Sequence, residues 1–275
     1  MQPAVLIALC CIISCAKIFV VLLKTIVKLS QKKVKVLMSI AIALVLYIVM
    51  ELELQVKMNP RLFLKDPGQS VLGRSIVEKS IPMINRIGFE DFTFKKLALE
   101  IGTTEAGIYR YFENKHRLLT YIITWFWTFL EYRLMYHTNN LSHAKDKIDV
   151  VIRLLTFSLG EEQVFKQVNQ YELFQIAITE GSKPYLTRHV TQDNKDQLFK
   201  PYKDLCGRIA DIFLDYNPNY QYPRSLSSTL LEMAHYQFFF KTNLPSLTDF
   251  AHDADESAIA KFLDNLIFSA LDNNR

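Results

Sequence analysis

Beyond residue 70, apolar side chains recur three and four positions apart through most of the chain, the spacing of one buried face on an α-helix. This spacing predicts a helix over 70–87, where Val71, Leu72, Ile76, Val77, Ile81 and Ile84 share a face. It predicts a longer one over 114–139 through Leu118, Ile122, Trp125, Phe126, Phe129 and Leu134. At 1.5 Å per residue the longer helix spans about 37 Å. Further helices are expected over 145–159, 162–179, 193–214, 224–242 and 254–271, with breaks at Gly160, at Gly181 with Pro184, from Pro218 to Pro223, and at Pro245. Pro82 predicts a bend in the first helix, and Gly88 a stop after it. Residues 58–69 are polar and punctuated by Pro60, Pro67 and Gly68, which reads as a linker or arm.

The stretch 93–119 has a different rhythm. A short helix carrying Phe94, Leu97, Ala98 and Ile101 stops at Gly102, and a second carries Ile108 and Phe112. Gly102 can adopt the left-handed conformation that ends a helix, and Thr103 or Thr104 can cap the next with its hydroxyl. Thr93 and Asn114 are placed to cap the helices that follow them. Two helices joined so tightly cross steeply, which makes this a helix-turn-helix pattern. Ala98, Ala106 and Gly107 are small enough for close approach. Glu105, Tyr109 and Arg110 then face outward, and a phenol and a guanidinium suit phosphate oxygens and base edges.

The N-terminal pattern is hydrocarbon. Residues 3–23 are almost unbroken hydrocarbon, interrupted by Lys17, enough for a membrane span of about 20 residues, and 36–50 form a shorter apolar run. Lys24, Lys28, Lys32, Lys33 and Lys35 lie between them. If both runs crossed, the positive-inside tendency would send everything after Met50 outside, away from DNA. Three arrangements remain open: the second run lies in the membrane surface or re-enters it, a single span tethers the protein to the inner membrane, or translation starts downstream at Met50 or Met58. No positive charge precedes the first run, which argues against a cleaved signal peptide. The same lack argues against reading 12–15 as a lipid-attachment site.

Composition adds limits. The chain has 275 residues, half of them apolar, with eight glycines and nine prolines, which favours long helices around one large core or two smaller ones. A net charge of +4 is compatible with nucleic acid and decides nothing alone. Cys10, Cys11, Cys15 and Cys206 give neither a disulfide framework nor zinc spacing. The six histidines do not cluster, and there is no His-Glu-x-x-His, Gly-x-Ser-x-Gly or glycine-rich phosphate loop. No catalytic residue, metal or cofactor is therefore expected.

The 93–119 block resembles the DNA-binding domain of the tetracycline-repressor (TetR) family. Ala98, Gly102, Thr104, Tyr109, Phe112 and Lys115 stand where that family's pattern has them, with Leu118 and Leu119 following, and the match runs from about 70 to 119. Thr103, Glu105 and the pair Ala106-Gly107 depart from it. The resemblance implies an all-α protein: a hydrophobic extension at 1–57, an arm at 58–69, a three-helix DNA-binding domain at 70–114, and a helical effector-binding and dimerisation domain at 115–275. It implies a cytoplasmic, homodimeric repressor on double-stranded DNA, reading an inverted repeat with recognition helices about 34 Å apart. Thr104, Tyr109, Arg110 and Lys115 are the first-rank DNA contacts implied, and Thr93, Lys95, Lys96 and Tyr111 the second, around a turn of Thr103, Glu105, Ala106 and Gly107.

In the family the last two helices form the dimer interface, and here they carry stripes of Leu226, Leu230, Met233 and Ala234, and of Ile259, Phe262, Leu263, Leu266, Ile267 and Ala270. A small apolar effector would sit among Trp125, Phe126, Phe129, Phe157, Tyr171 and Phe174, with Tyr236 and Phe239, although aromatic residues at this spacing equally make ordinary core. The competing readings are a membrane-anchored sensor or interaction protein that keeps the helix-turn-helix as scaffold, and an all-helical enzyme.

Overall fold

A computed structural model describes residues 58–159, 169–251 and 257–272. The chain divides into a unit of residues 1–54 and a unit of 55–275, and the described residues all belong to the second. The apolar runs before residue 58 lie outside them. No helix among the described residues is long and apolar enough to cross a membrane.

The described residues are all-helical, with no strand among them. Helix α1 (Val71–Asp91) starts where Ser70 Oγ accepts the Gly73 N–H at 3.0 Å. Gly88, at φ +76°, interrupts α1 without ending it, so the expected stop is a kink followed by one more turn. Helix α2 (Phe94–Ile101) is capped by Thr93 and closed by Gly102 at φ +69°. Thr104 caps α3 (Glu105–Tyr109), and Asn114 caps α4 (Lys115–Thr138). These caps are the ones the sequence proposes, because short oxygen-bearing side chains satisfy N–H groups that a helix start leaves open.

Helix α4 is the rod on which the molecule is built. Leu118, Ile122, Phe126, Phe129 and Leu134 are buried along it. It packs against α5 (Ala144–Leu155), α6 (Gln170–Glu180) and α8 (Lys200–Tyr216). Helix α9 (Pro223–Asn243) covers α8, and α10 (Ala258–Asp272) lies against α9 and α5. Over 193–214 the structure replaces one expected helix with two, α7 (Val190–Lys195) and α8, separated at Gln197, whose φ is +60°. Pro201 explains the restart: it has no N–H to give a helix interior and is tolerated in a first turn. Helix α5 likewise ends before Phe157, at φ +56°.

The segment 58–69 is docked against the protein. Two short 3₁₀ turns, Pro60–Leu62 and Pro67–Gln69, seat Leu62 with no exposed surface and set the Phe63 ring edge-on to Tyr121. Leu64 N–H donates to Tyr111 O at 2.7 Å. Asn59 Nδ2 donates to Asp196 O at 2.8 Å, and Arg61 pairs with the Asp196 carboxylate. Gly73 allows the approach of the second turn, since a Cβ there would lie 2.4 Å from Pro67 O. Two apolar residues in a polar, proline-rich stretch thus decide its course. The α1–α3 head also meets the other helices through Asn85 Nδ2 to Glu172 O at 2.8 Å and Phe89 N–H to Glu180 Oε1 at 3.3 Å. Arg117, in the first turn of α4, pairs with Asp193 of α7 at 2.8 Å.

Candidate nucleic-acid interface

The surface built by α2, the turn and α3 is rigid from beneath. Leu97, Ile108 and Phe112 are wholly buried, and Phe94 and Ala98 nearly so. Thr103 N–H donates to Ala98 O at 2.9 Å, closing α2, and Gly107 N–H donates to Thr104 Oγ1 at 3.1 Å, opening α3. Gly107 has a steric reason: a Cβ there would lie 3.0 Å from Thr103 Oγ1. Thr103 is half-buried against the turn, while Thr104, Glu105 and Ala106 are exposed. The Thr104 hydroxyl accepts the capping bond and keeps its own proton to donate outward.

Tyr109 and Arg110 lie on the exposed side of α3. The Tyr109 ring leans edge-on against Phe94 at 5.0 Å, which fixes the phenol's direction while leaving the residue 47% exposed. Thr93 and Lys95 are exposed at the start of α2. The Thr93 side chain accepts Lys96 N–H at 3.2 Å, and Lys96 Nζ donates to Asp91 O at 2.8 Å.

Two expected contacts are placed differently. Lys115 Nζ donates to Phe89 O and Glu90 O at 2.9 Å and to Phe92 O at 3.2 Å, and lies over the Phe89 ring. All three ammonium protons are committed to carbonyls released by the Gly88 kink, so Lys115 closes the end of α1 instead of presenting a free charge. Tyr111 is buried, with its hydroxyl 2.7 Å from Ser70 Oγ. The Ser70 hydrogen bond, opposed by burial and helped by nearby Lys65 and Arg110, holds its phenol below the ordinary tyrosine value. Tyr111 therefore ties α1 to the end of α3.

Two cations beside this surface escaped the sequence pattern. Lys65 is exposed with its ammonium over the Tyr111 ring, and exposed Arg74 donates to Gly68 O at 2.9 Å. Their signal is a basic residue on each side of a Pro-Gly turn, meaningful only once the arm is known to dock.

The aromatic residues expected to line an effector cavity separate. Phe126, Phe129 and Phe174 are buried, Trp125 and Phe157 are half-buried, and Tyr171 is 61% exposed in the first turn of α6. Tyr171 is thus no part of an internal wall. Phe157 stacks on Phe174 at 4.6 Å, and the Phe174 ring lies 6.4 Å from that of Phe126. Trp127, outside the apolar spacing of α4 that the sequence shows, stacks on His235 at 5.4 Å and meets Tyr202 at 4.8 Å. Tyr185 and Tyr202 both donate to Glu232 Oε1, at 2.7 and 2.9 Å. The space beside Trp127, Tyr185 and Tyr202 is about 10 Å³, at most one water. His235 is buried with Nε2 unpartnered, and burial pushes its imidazole down to about 4, so it is neutral.

The stripes on the last two helices divide. Leu230, Ala234, Ile259, Leu263 and Ile267 face the protein's own core, and Leu226, Met233, Leu266 and Ala270 are half-buried. Tyr236 and Phe262 remain exposed, and the Tyr236 ring stacks on Phe240 at 5.8 Å. Met233, Tyr236 and Phe240 line an open groove of about 570 Å³ on the outer side of α9. Phe239 is half-buried on the same helix.

Among known families, the model of bacterial regulatory proteins, tetR family, matches residues 76–122. The fatty acid degradation regulator FadR from Bacillus halodurans is similar in structure, with 15% identity over 70% of this chain and 96% of that one, and a TM-score of 0.50. AibR, in complex with isovaleryl coenzyme A and operator DNA, is 15% identical over 72% of this chain and 97% of its own at a TM-score of 0.49. The superantigen PfiT is 12% identical over 75% and 98% at 0.49. At such identities the likeness to FadR speaks for the fold alone. No curated protein matches the chain in sequence.

Proposed function

We propose that this chain, TetR-like in its helix-turn-helix, is a homodimeric transcriptional repressor that binds an inverted repeat in double-stranded DNA. The observation that carries this reading is the capped, exposed α3 with Thr104, Glu105, Tyr109 and Arg110 outward over a fully buried underside. A short helix held from below and bare above suits the major groove, and the cations around it suit the strands. Thr104 and Tyr109 donate to phosphates, and Lys95, Arg110, Lys65 and Arg74 neutralise them.

The dimer forms through the outer sides of α9 and α10, where Tyr236 and Phe262 are exposed and half-buried Met233 and Phe240 line the open groove. A small apolar effector acts on the aromatic cluster around Trp127 and His235. Because that cluster packs on α4, whose first turn carries Arg117, an effector that separates the rings shifts DNA affinity, provided it binds one head spacing better than the other. The site of action is the cytoplasmic DNA.

Arg110→Ala tests the contact surface. In a fluorescence-anisotropy titration it is expected to weaken binding about tenfold and to reduce the salt slope by about one phosphate. An unchanged slope with unchanged affinity removes Arg110 from the interface.

A further inference from the structure

The recognition surface has fewer uncommitted polar groups than its sequence offers. Lys115 is bound to three carbonyls, Lys96 to Asp91 O and Tyr111 to Ser70, and the Tyr109 ring is held by Phe94. On α3 and its C-cap, Glu105 and Arg110 are exposed, and their side chains have no hydrogen-bond or ion-pair partner among the described residues. Glu105 is followed by Ala106 and Gly107, whose side chains reach no further than a methyl. Its outward neighbour one turn on is Tyr109, whose ring leans back against Phe94.

A carboxylate facing a polyanion weakens binding unless it meets a donor. In the major groove the donors are the exocyclic amines of cytosine and adenine. Adenine sets its N6 amine beside the N7 acceptor, a pair matched by an amide that both donates and accepts. Cytosine offers its N4 amine alone, which matches a group that only accepts. The structure assigns to Glu105 the role of a specificity-determining residue: its carboxylate accepts a hydrogen bond from the N4 amine of one cytosine in each half-site. This rests on the DNA-binding function proposed above.

The plain alternative is that Glu105 only stabilises α3, as a negative charge does in a first turn. Selection from a randomised duplex pool, with the full-length chain and with Glu105→Gln and Glu105→Ala, separates the two. The natural chain is expected to enrich cytosine at one base pair per half-site by about tenfold over other bases. Glu105→Gln moves that preference to adenine, and Glu105→Ala loses it there while keeping the others and binding the selected site about tenfold more weakly. The inference is overturned if all three proteins enrich the same bases, or if Glu105→Ala binds every sequence more tightly, which marks a carboxylate that merely repels phosphate. If the natural chain enriches no sequence at any ionic strength, the DNA-binding function falls and this inference with it. A clear motif indifferent to residue 105 overturns the inference alone.

Discussion

Lys115 shows how a residue that fits a pattern can serve another end. Its position beside a helix N-terminus suits a phosphate contact, yet the Gly88 kink leaves three carbonyls within its reach, and they take all its protons. Lys115→Met is therefore expected to cost about 1–3 kcal/mol, seen as a lower melting temperature, with little change in the salt slope of DNA binding. A lower salt slope with unchanged melting would return Lys115 to the interface. The kink was legible only as a stop, because a lone glycine does not say whether the chain turns away or resumes its helix. His235 likewise gave no signal, since the rings around it, Phe126, Trp127 and Phe174, come from α4 and α6, far from it along the chain. Its folded value of about 4 lies below the usual 6.5, so between these values the unfolded chain binds the proton and the folded chain does not. Stability from this group is thus fully present above about pH 6.5 and is lost as pH falls toward 4. In urea unfolding at pH 7 and pH 5, His235→Phe should lose less stability on acidification than the natural chain. An equal loss would show that acid acts through other groups.

At the scale of elements, the features legible in the sequence are those set by neighbours along the chain. Thr93, Thr104 and Asn114 cap as expected, Gly102 takes its left-handed conformation, and α4 spans nearly the range its periodicity predicts. Features set by distant contacts were hidden. The arm reads as a polar linker because its docking depends on Leu62 and Phe63 finding α4, and Tyr111 reads as a second-rank phosphate contact because its partner Ser70 is 41 positions away. The break between α7 and α8 was available in Pro201, outweighed by apolar spacing that continues through it. Leu62 is buried without residue, so Leu62→Ala is expected to cost about 2–5 kcal/mol by leaving a cavity under the arm. Amide hydrogen exchange over 58–66 should accelerate in that variant, and exchange at the natural rate would mean that the arm is held by its polar contacts alone.

Among the described residues, a head at α1–α3 is joined by the rod of α4 to helices whose outer face lies on α9 and α10. Two heads read two half-sites only if that face pairs, so Tyr236→Asp combined with Phe262→Asp should yield monomers by light scattering with their helix content intact. A dimer that survives this double change uses some other surface. Both requirements meet in the dependence of DNA affinity on salt, which counts phosphates neutralised by the assembled protein. The most direct measurement is the slope of log affinity against log salt concentration for the full-length chain on a duplex carrying an inverted repeat selected from a randomised pool. A steep negative slope is expected, shallower in Arg110→Ala, with two chains bound per repeat. Affinity that is absent at low ionic strength, or indifferent to salt, would contradict it.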